Sequence, residues 1–358
     1  MISPFSIPPQ PSGWPIIGHD KAVALLRRSL SSDQLSHAYL FTGPPGVGKR
    51  TLALAFAMSV ECQSLAEGAL PDAPCLLCAS CTRIAHGAHP DVTEVNLQTQ
   101  AAALGESGKG KAAPAKEIKI DTVREMQATV GLRPHSGRRK LYILGDADRL
   151  NEESSNCMLK TLEEPPSHTI LVLLAPDEAS VLPTISSRCL HVPLRTLSRA
   201  LIMSSLVDVW GAEPEQAETL AALSGGRLGY AVSLLADRDA MDRRRAALER
   251  MSLLMGAPIS DRINAATEYA KMFTDARQDL YAMLDAWESW WRDVLVVKAA
   301  APELASNVDQ MQTLASIASR VPVKRASAAV SLVQQTRQQL LENVNPRLAL
   351  EALALGLP

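Results

Sequence analysis

The chain has 358 residues, about two to three times the length of a typical domain, so more than one hydrophobic core is expected. Its 47% apolar and 21% charged residues, with a mean hydropathy of +0.01, exclude wholesale disorder and a fibrous repeat. The 36 Lys+Arg against 38 Asp+Glu leave a net charge of −2, which excludes a bulk cationic field, so any nucleic-acid contact must come from a local patch. No run approaches the ~20 apolar residues that span a bilayer, and the N-terminus has neither a basic start nor an apolar signal core. A cytoplasmic protein with no membrane partner is expected.

Residues 1–15 contain Pro4, Pro8, Pro9, Pro11 and Pro15, which predict an extended lead-in. From Ile16 to about residue 192, short aliphatic or β-branched runs alternate with helical patterns. Strands are predicted at Ala38–Thr42, Val92–Val95, Lys140–Leu144, Thr169–Ala175 and Leu190–Val192, and the alternation favours a parallel sheet between helices. The stretch 98–117 carries Gly, Ala and Lys without an apolar period and reads as a flexible insertion. Its lysines, Lys109, Lys111 and Lys116, with Lys119 just beyond, either touch phosphates or only solvate a loop. Strand signals stop after Pro193. Short helices separated by Gly211 and Gly225-Gly226 follow, and the chain is helix-rich from Asp239 onward. Leu280, Leu284, Trp287, Trp291, Val294 and Leu295 recur at three- and four-residue steps, so Trp287, Trp290 and Trp291 read as core or as a helix–helix interface.

The run Gly43-Pro-Pro-Gly46-Val-Gly48-Lys49 follows a predicted strand and precedes a helical run, the context of a Walker A phosphate loop. Glycines let successive N–H groups turn toward one anion, the helix N-terminus adds partial positive charge, and Lys49 supplies a mobile cation. The hydroxyl that should follow the lysine and hold Mg²⁺ is replaced by Arg50. Thr51 comes one residue, or about 100° of helix, too late. After the strand KLYIL the two positions of the Walker B acids read Gly145-Asp146. Gly145 has no side chain to bind metal, and Asp146 is a short stand-in for the Glu that polarises water.

Cys75, Cys78 and Cys81 are spaced by two residues, and Cys62 precedes them by twelve. Such gaps let thiolates converge on one tetrahedral centre, so the four predict a structural Zn²⁺ site in a module at 62–81 with no open position for catalysis. His86 and His89 lie nearby, but His-Pro-Asp at 89–91 reads as a turn. Cys157 and Cys189 read as small buried residues.

The residues His37-Ala-Tyr-Leu-Phe, Leu159-Lys-Thr-Leu-Glu163-Glu164-Pro165-Pro166 and Ser187-Arg188-Cys189 resemble the bacterial clamp-loader family, the AAA+ subunits of the DNA polymerase III holoenzyme. The resemblance covers most of 16–240 and continues weakly through Asn345–Glu351. It implies an α/β, P-loop AAA+ parallel-sheet domain at 16–192, a helical lid at 193–240, and an all-α oligomerisation (collar) domain at 241–358.

Two kinds of subunit share these motifs, the ATP-hydrolysing gamma/tau motor and the delta-prime kind with a degraded ATP site. The motor's phosphate sensor after the fourth strand is replaced here by Ala175-Pro176. Its sensor arginine has a near match in Arg227 of Gly226-Arg-Leu-Gly229, out of register. With Arg50 and Gly145, four ATPase positions are lost. The resemblance therefore implies a largely ATPase-inactive stator of the delta-prime kind, assembling with gamma/tau and delta to load the sliding clamp onto primed DNA. An active AAA+ ATPase, either a divergent motor or another DNA-dependent remodeller, is the alternative. On this reading Gly43, Gly46, Gly48 and Lys49 keep a degenerate nucleotide pocket whose ATP binding is weak or absent. Arg188 is an arginine finger acting in trans on a neighbour's γ-phosphate. Glu163, Glu164 and Ser187 belong to an interface, since carboxylates at a helix end oppose its dipole. A screened, exposed helix end is the other reading of the two glutamates.

Overall fold

The computed structural model describes residues 13–64, 72–105, 117–342 and 344–358. The prolines of the lead-in before residue 13, the centre of the 62–81 module, and Lys109, Lys111 and Lys116 lie outside the described residues. The chain forms two compact units. One holds the described residues up to Ser198 together with Gly226–Tyr230, and the other holds Arg199–Gly225 with Ala231–Pro358.

In the first unit the elements run α1 (Asp20–Ser31), β1 (Ala38–Thr42), α2 (Lys49–Glu61), α3 (Ala79–Ala85), β2 (Val92–Val95), α4 (Leu97–Gly105), α5 (Ile120–Val130), β3 (Lys140–Leu144), α6 (Glu152–Glu163), β4 (Thr169–Ala175), α7 (Pro183–Ser186) and β5 (Leu190–Pro193). Every predicted strand is present, β5 one residue longer than expected. All pairings are parallel in the order β2-β3-β4-β1-β5, so each connection must cross a face of the sheet, and helices do the crossing. This is the parallel-sheet architecture that the AAA+ resemblance implies.

The central strands are uniformly apolar because both faces are covered. In β1, Tyr39 and Phe41 join the core beneath α1 and α2 with Leu26 and Phe56, whereas Ala38 and Leu40 join the opposite core with Met126 of α5 and Leu162 of α6. Strand β4 alternates likewise, with Ile170, Val172 and Leu174 on one side and Leu171 and Leu173 on the other. Parallel strands put their C-terminal ends on one edge. That edge gathers the loops after β1, β3 and β4, where ligands of such folds bind.

The 98–117 segment departs from the expected patternless insertion at its start, because Leu97–Gly105 is helical. Asn96 and Thr99 exchange hydrogen bonds at the helix start: Thr99 N donates to Asn96 Oδ1 at 2.8 Å, and Asn96 N donates to Thr99 Oγ1 at 2.9 Å. Buried Gln100 donates to the Glu117 carbonyl and accepts from Lys119 N, both at 2.9 Å. Polar anchors of this kind leave no hydrophobic period to read.

The second unit is helical: α8 (Arg199–Trp210), α9 (Pro214–Leu223), the greater part of α10 (Leu228–Ala236), α11 (Ala240–Leu254), α12 (Ile259–Asp275), α13 (Arg277–Lys298), α14 (Met311–Arg320), α15 (Val323–Leu341) and α16 (Pro346–Gly356). Trp287, Trp290 and Trp291 of α13 are buried in its core with Leu280, Leu284 and Val294, so core packing is the reading of the tryptophans that holds. Trp287 Nε1 also donates to the Ala247 carbonyl of α11 at 2.7 Å. No helix among the described residues is long and apolar enough to cross a membrane.

Candidate functional site

The phosphate loop joins β1 to α2 at the C-terminal edge of the sheet. Gly43 has φ 149°, and a Cβ there would stand 2.4 Å from the Leu194 carbonyl, so the loop can leave β1 only through a residue without a side chain. Gly43 N donates to the Pro176 carbonyl at 3.0 Å, tying the loop to the end of β4. Gly229 N donates to the Gly46 carbonyl at 2.8 Å, which places 226–230 against the loop. Arg227 within that segment lies over the Tyr230 ring, 4.6 Å from its centroid.

Lys49 turns back on its own loop, donating to the carbonyls of Gly43 and, at 3.2 Å, Pro44. Burial pushes the pKa of its ammonium down, against the opposing pull of Asp148 and Asp146. His19, which the sequence reading missed, sits beside the loop with Nε2 3.0 Å from the Val47 carbonyl. Burial lowers its pKa as well.

At the position after the lysine, where the Walker A pattern carries a hydroxyl, this chain has Arg50. Arg50 Nε and Nη2 donate to the two carboxylate oxygens of Glu94 on β2, at 2.6 and 2.8 Å. This planar two-point pairing straps the start of α2 to the sheet edge. Glu94 carried no signal in the sequence. At Gly145 a side chain would also be crowded, since a Cβ would meet Asn96 Cβ at 2.9 Å and the backbone around it would have to shift. Asp146 is engaged in holding structure, its Oδ2 accepting from Leu97 N at 2.9 Å. The structure thus gathers Gly43, Gly46, Gly48, Lys49 and Arg50 on one edge, with the neighbouring acids committed to backbone and arginine partners.

Cys62, Cys75, Cys78 and Cys81 converge at the far end of α2, with all four sulfurs within 4.8 Å of one another. A tetrahedron of thiolates at ~2.3 Å from a metal has S···S edges of about 3.8 Å, and Cys75 Sγ lies 3.9 Å from Cys81 Sγ. Backbone N–H groups point at the sulfurs: Cys78 N lies 3.3 Å from Cys75 Sγ, and Gln63 N and Cys81 N each lie 3.5 Å from Cys78 Sγ. Burial works against ionising Cys75, yet the N–H groups of Cys78 and Leu77 prevail and bring its thiol down to about 6, while burial pushes Cys62 and Cys81 up. The donor set fits a closed four-sulfur metal site. Neither nearby histidine joins it: His86 Nδ1 meets the Thr82 carbonyl at 2.7 Å, and His89 Nε2 meets Ser80 Oγ at 2.8 Å.

Two buried carboxylates missed by sequence reasoning secure the loop before β3. Asp91 accepts from the N–H groups of His135, Ser136 and Gly137 at 2.6–2.8 Å, and Glu61 accepts from those of Arg138 and Arg139 at 2.9 and 2.8 Å. Arg188 lies between α7 and β5 and pairs with Glu163 at the end of α6, with Nη2 to Oε1 at 2.8 Å. Ser187 and Glu164 are exposed beside this pair. Cys189 is largely enclosed, and burial pushes its thiol up to about 12, which suits an inert packing residue.

A family model described as DNA polymerase III, delta subunit, matches residues 18–198, and one described as DNA polymerase III, delta subunit, C terminal, matches 249–357. The chain is 28% identical over 337 residues to DNA polymerase III subunit delta' of Bacillus subtilis (strain 168), covering 94% of this chain and 95% of that protein. It is 29% identical over 324 residues to subunit delta' of Pseudomonas aeruginosa, covering 89% and 91%. Against DNA polymerase III subunit tau of Bacillus subtilis it is 27% identical over 356 residues, covering 94% of this chain but spanning 59% of that protein's length.

Proposed function

The chain belongs to the DNA polymerase III delta-subunit family, and on that premise we propose that it serves as the delta-prime-type subunit of a clamp loader, a stator with little or no ATPase activity of its own. The observation that carries this reading is Arg50. Where a motor needs a hydroxyl on Mg²⁺, a guanidinium is locked on Glu94, and phosphoryl transfer depends on metal and charge positioning of the kind this removes. The crowding that an acid would meet at Gly145 supports it from the other side of the pocket.

On this reading the partners are gamma/tau and delta, with the sliding clamp and primed DNA engaged through the assembled complex. Segment 193–240 acts as lid and 241–358 as collar. Zn²⁺ on Cys62, Cys75, Cys78 and Cys81 would tie the module after α2 together, and the loop at 43–49 binds nucleotide weakly at most. Arg188 supplies positive charge in trans to the γ-phosphate held by a neighbour, and Ser187, Glu163 and Glu164 surround it at the interface.

The test is Arg188→Ala in the complex reconstituted with gamma/tau and delta. Assembly should stay normal while ATP turnover falls. The loss should be smaller than the roughly 10³-fold typical of such fingers, since one of several sites in the ring borrows this residue. Arg188→Lys should rescue poorly, because an ammonium lacks the planar fork. Unchanged turnover and clamp loading in an intact complex would refute the trans role.

A further inference from the structure

Glu163 closes α6, where the helix carbonyls disfavour a negative charge. In the folded chain that carboxylate faces Arg188, with Oε1 2.8 Å from Nη2. The other terminal nitrogen, Nη1, donates at 2.8 Å to the carbonyl of Thr184 in α7, and Arg188 N donates to the Ile185 carbonyl at 3.1 Å. The guanidinium is therefore held at both ends by groups from two different elements. A rigid planar group held at two points has its plane and direction defined, and holding it takes two of its five N–H donors. The side chain stays 37% exposed, so an anion can approach without dismantling the frame.

We propose that Glu163 is a positioning residue for Arg188, aiming its guanidinium at the phosphate of a nucleotide held by the neighbouring subunit. This inference rests on the trans role argued above, and it assigns Glu163 an action through Arg188 instead of a contact of its own with the partner. Both side chains are solvent-facing, so the pair adds little to folding stability, and its removal is read in the rate.

The experiment measures ATP turnover of the reconstituted complex, with saturating clamp and primed DNA, for wild type, Glu163→Gln, Arg188→Ala and the double variant. Glu163→Gln should lower kcat about two- to fivefold, the range that corresponds to an exposed ion pair. KM for ATP should not move, because the interaction matters only in the transition state. In the Arg188→Ala background the same substitution should change nothing. Size-exclusion profiles and melting of the isolated chain should match wild type. A wild-type kcat for Glu163→Gln beside a slowed Arg188→Ala would overturn this inference and leave the trans role standing. An equal loss in both backgrounds would also overturn it, giving Glu163 a direct contact. A wild-type rate for Arg188→Ala would remove the trans role, and this inference with it.

Discussion

Restoring the missing Walker B acid by Gly145→Asp should destabilise the chain without creating an ATPase. A Cβ at Gly145 would lie 2.9 Å from Asn96 Cβ, whereas non-bonded carbons settle at roughly 3.5–4.0 Å. Rotating the Asn96 side chain cannot relieve this, because its Cβ is fixed to the backbone. That backbone is tied down in turn, since Gly145 N donates to the Val95 carbonyl at 2.7 Å and Asn96 opens α4 through Thr99. Forcing a methyl group into such a contact costs about 1–3 kcal/mol. Removing a glycine stiffens the unfolded chain and returns ~0.4–1 kcal/mol. The net loss for Gly145→Ala, which isolates the steric effect, is then about 0–2.6 kcal/mol. With a urea m-value near ~3 kcal/mol/M, the unfolding midpoint followed by circular dichroism should fall by up to about 0.9 M. Gly145→Asp should fall further, since it adds a carboxylate beside Asp146. Combined with Arg50→Thr it should still give no Mg²⁺-dependent turnover. A Gly145→Ala midpoint above wild type, or measurable Mg²⁺-dependent ATPase in the double variant, would refute the reasoning.

Two further outcomes are expected. Protein purified without chelator should carry about one zinc per chain by elemental analysis, and Cys78→Ser should surrender it to a chelating dye far faster than wild type, because one thiolate of four is lost. Equal release rates, or no stoichiometric metal in wild type, would remove the metal from the reading. At Asp91, burial opposes the charge, but the N–H groups of His135, Ser136 and Gly137 prevail and hold the carboxyl below the ordinary range. A folded pKa below the unfolded value of ~3.9 means that the carboxylate's contribution is complete above about pH 4 and fades as pH falls through the folded value. Asp91→Asn should therefore cost about 2 kcal/mol in urea unfolding at pH 7, and the gap to wild type should narrow at pH 3. A gap independent of pH would show that these bonds do not depend on the charge.

Features written in a short stretch of chain could be read without the fold. The strands were legible because runs such as AYLFT and TILVLLA are buried along their whole length. The glycine-rich loop and three of the four clustered cysteines lie within short windows, so their spacing carries the geometry. The losses at Arg50 and Gly145 were also visible as departures from a local pattern. Tertiary structure alone decided which charge meets which. Arg50 finds Glu94 forty-four positions away, Glu61 holds Arg139 across seventy-eight, and Arg188 meets Glu163 across twenty-five. Charged residues carry no periodicity that announces a partner. The order β2-β3-β4-β1-β5 sets β2 at the sheet edge, three places from β1, and only the folded chain brings its Glu94 to Arg50 at the start of α2. The closed space at Gly145 arises in the same way, because the pairing of β2 with β3 brings Asn96 against a position whose neighbours in sequence give no hint of it.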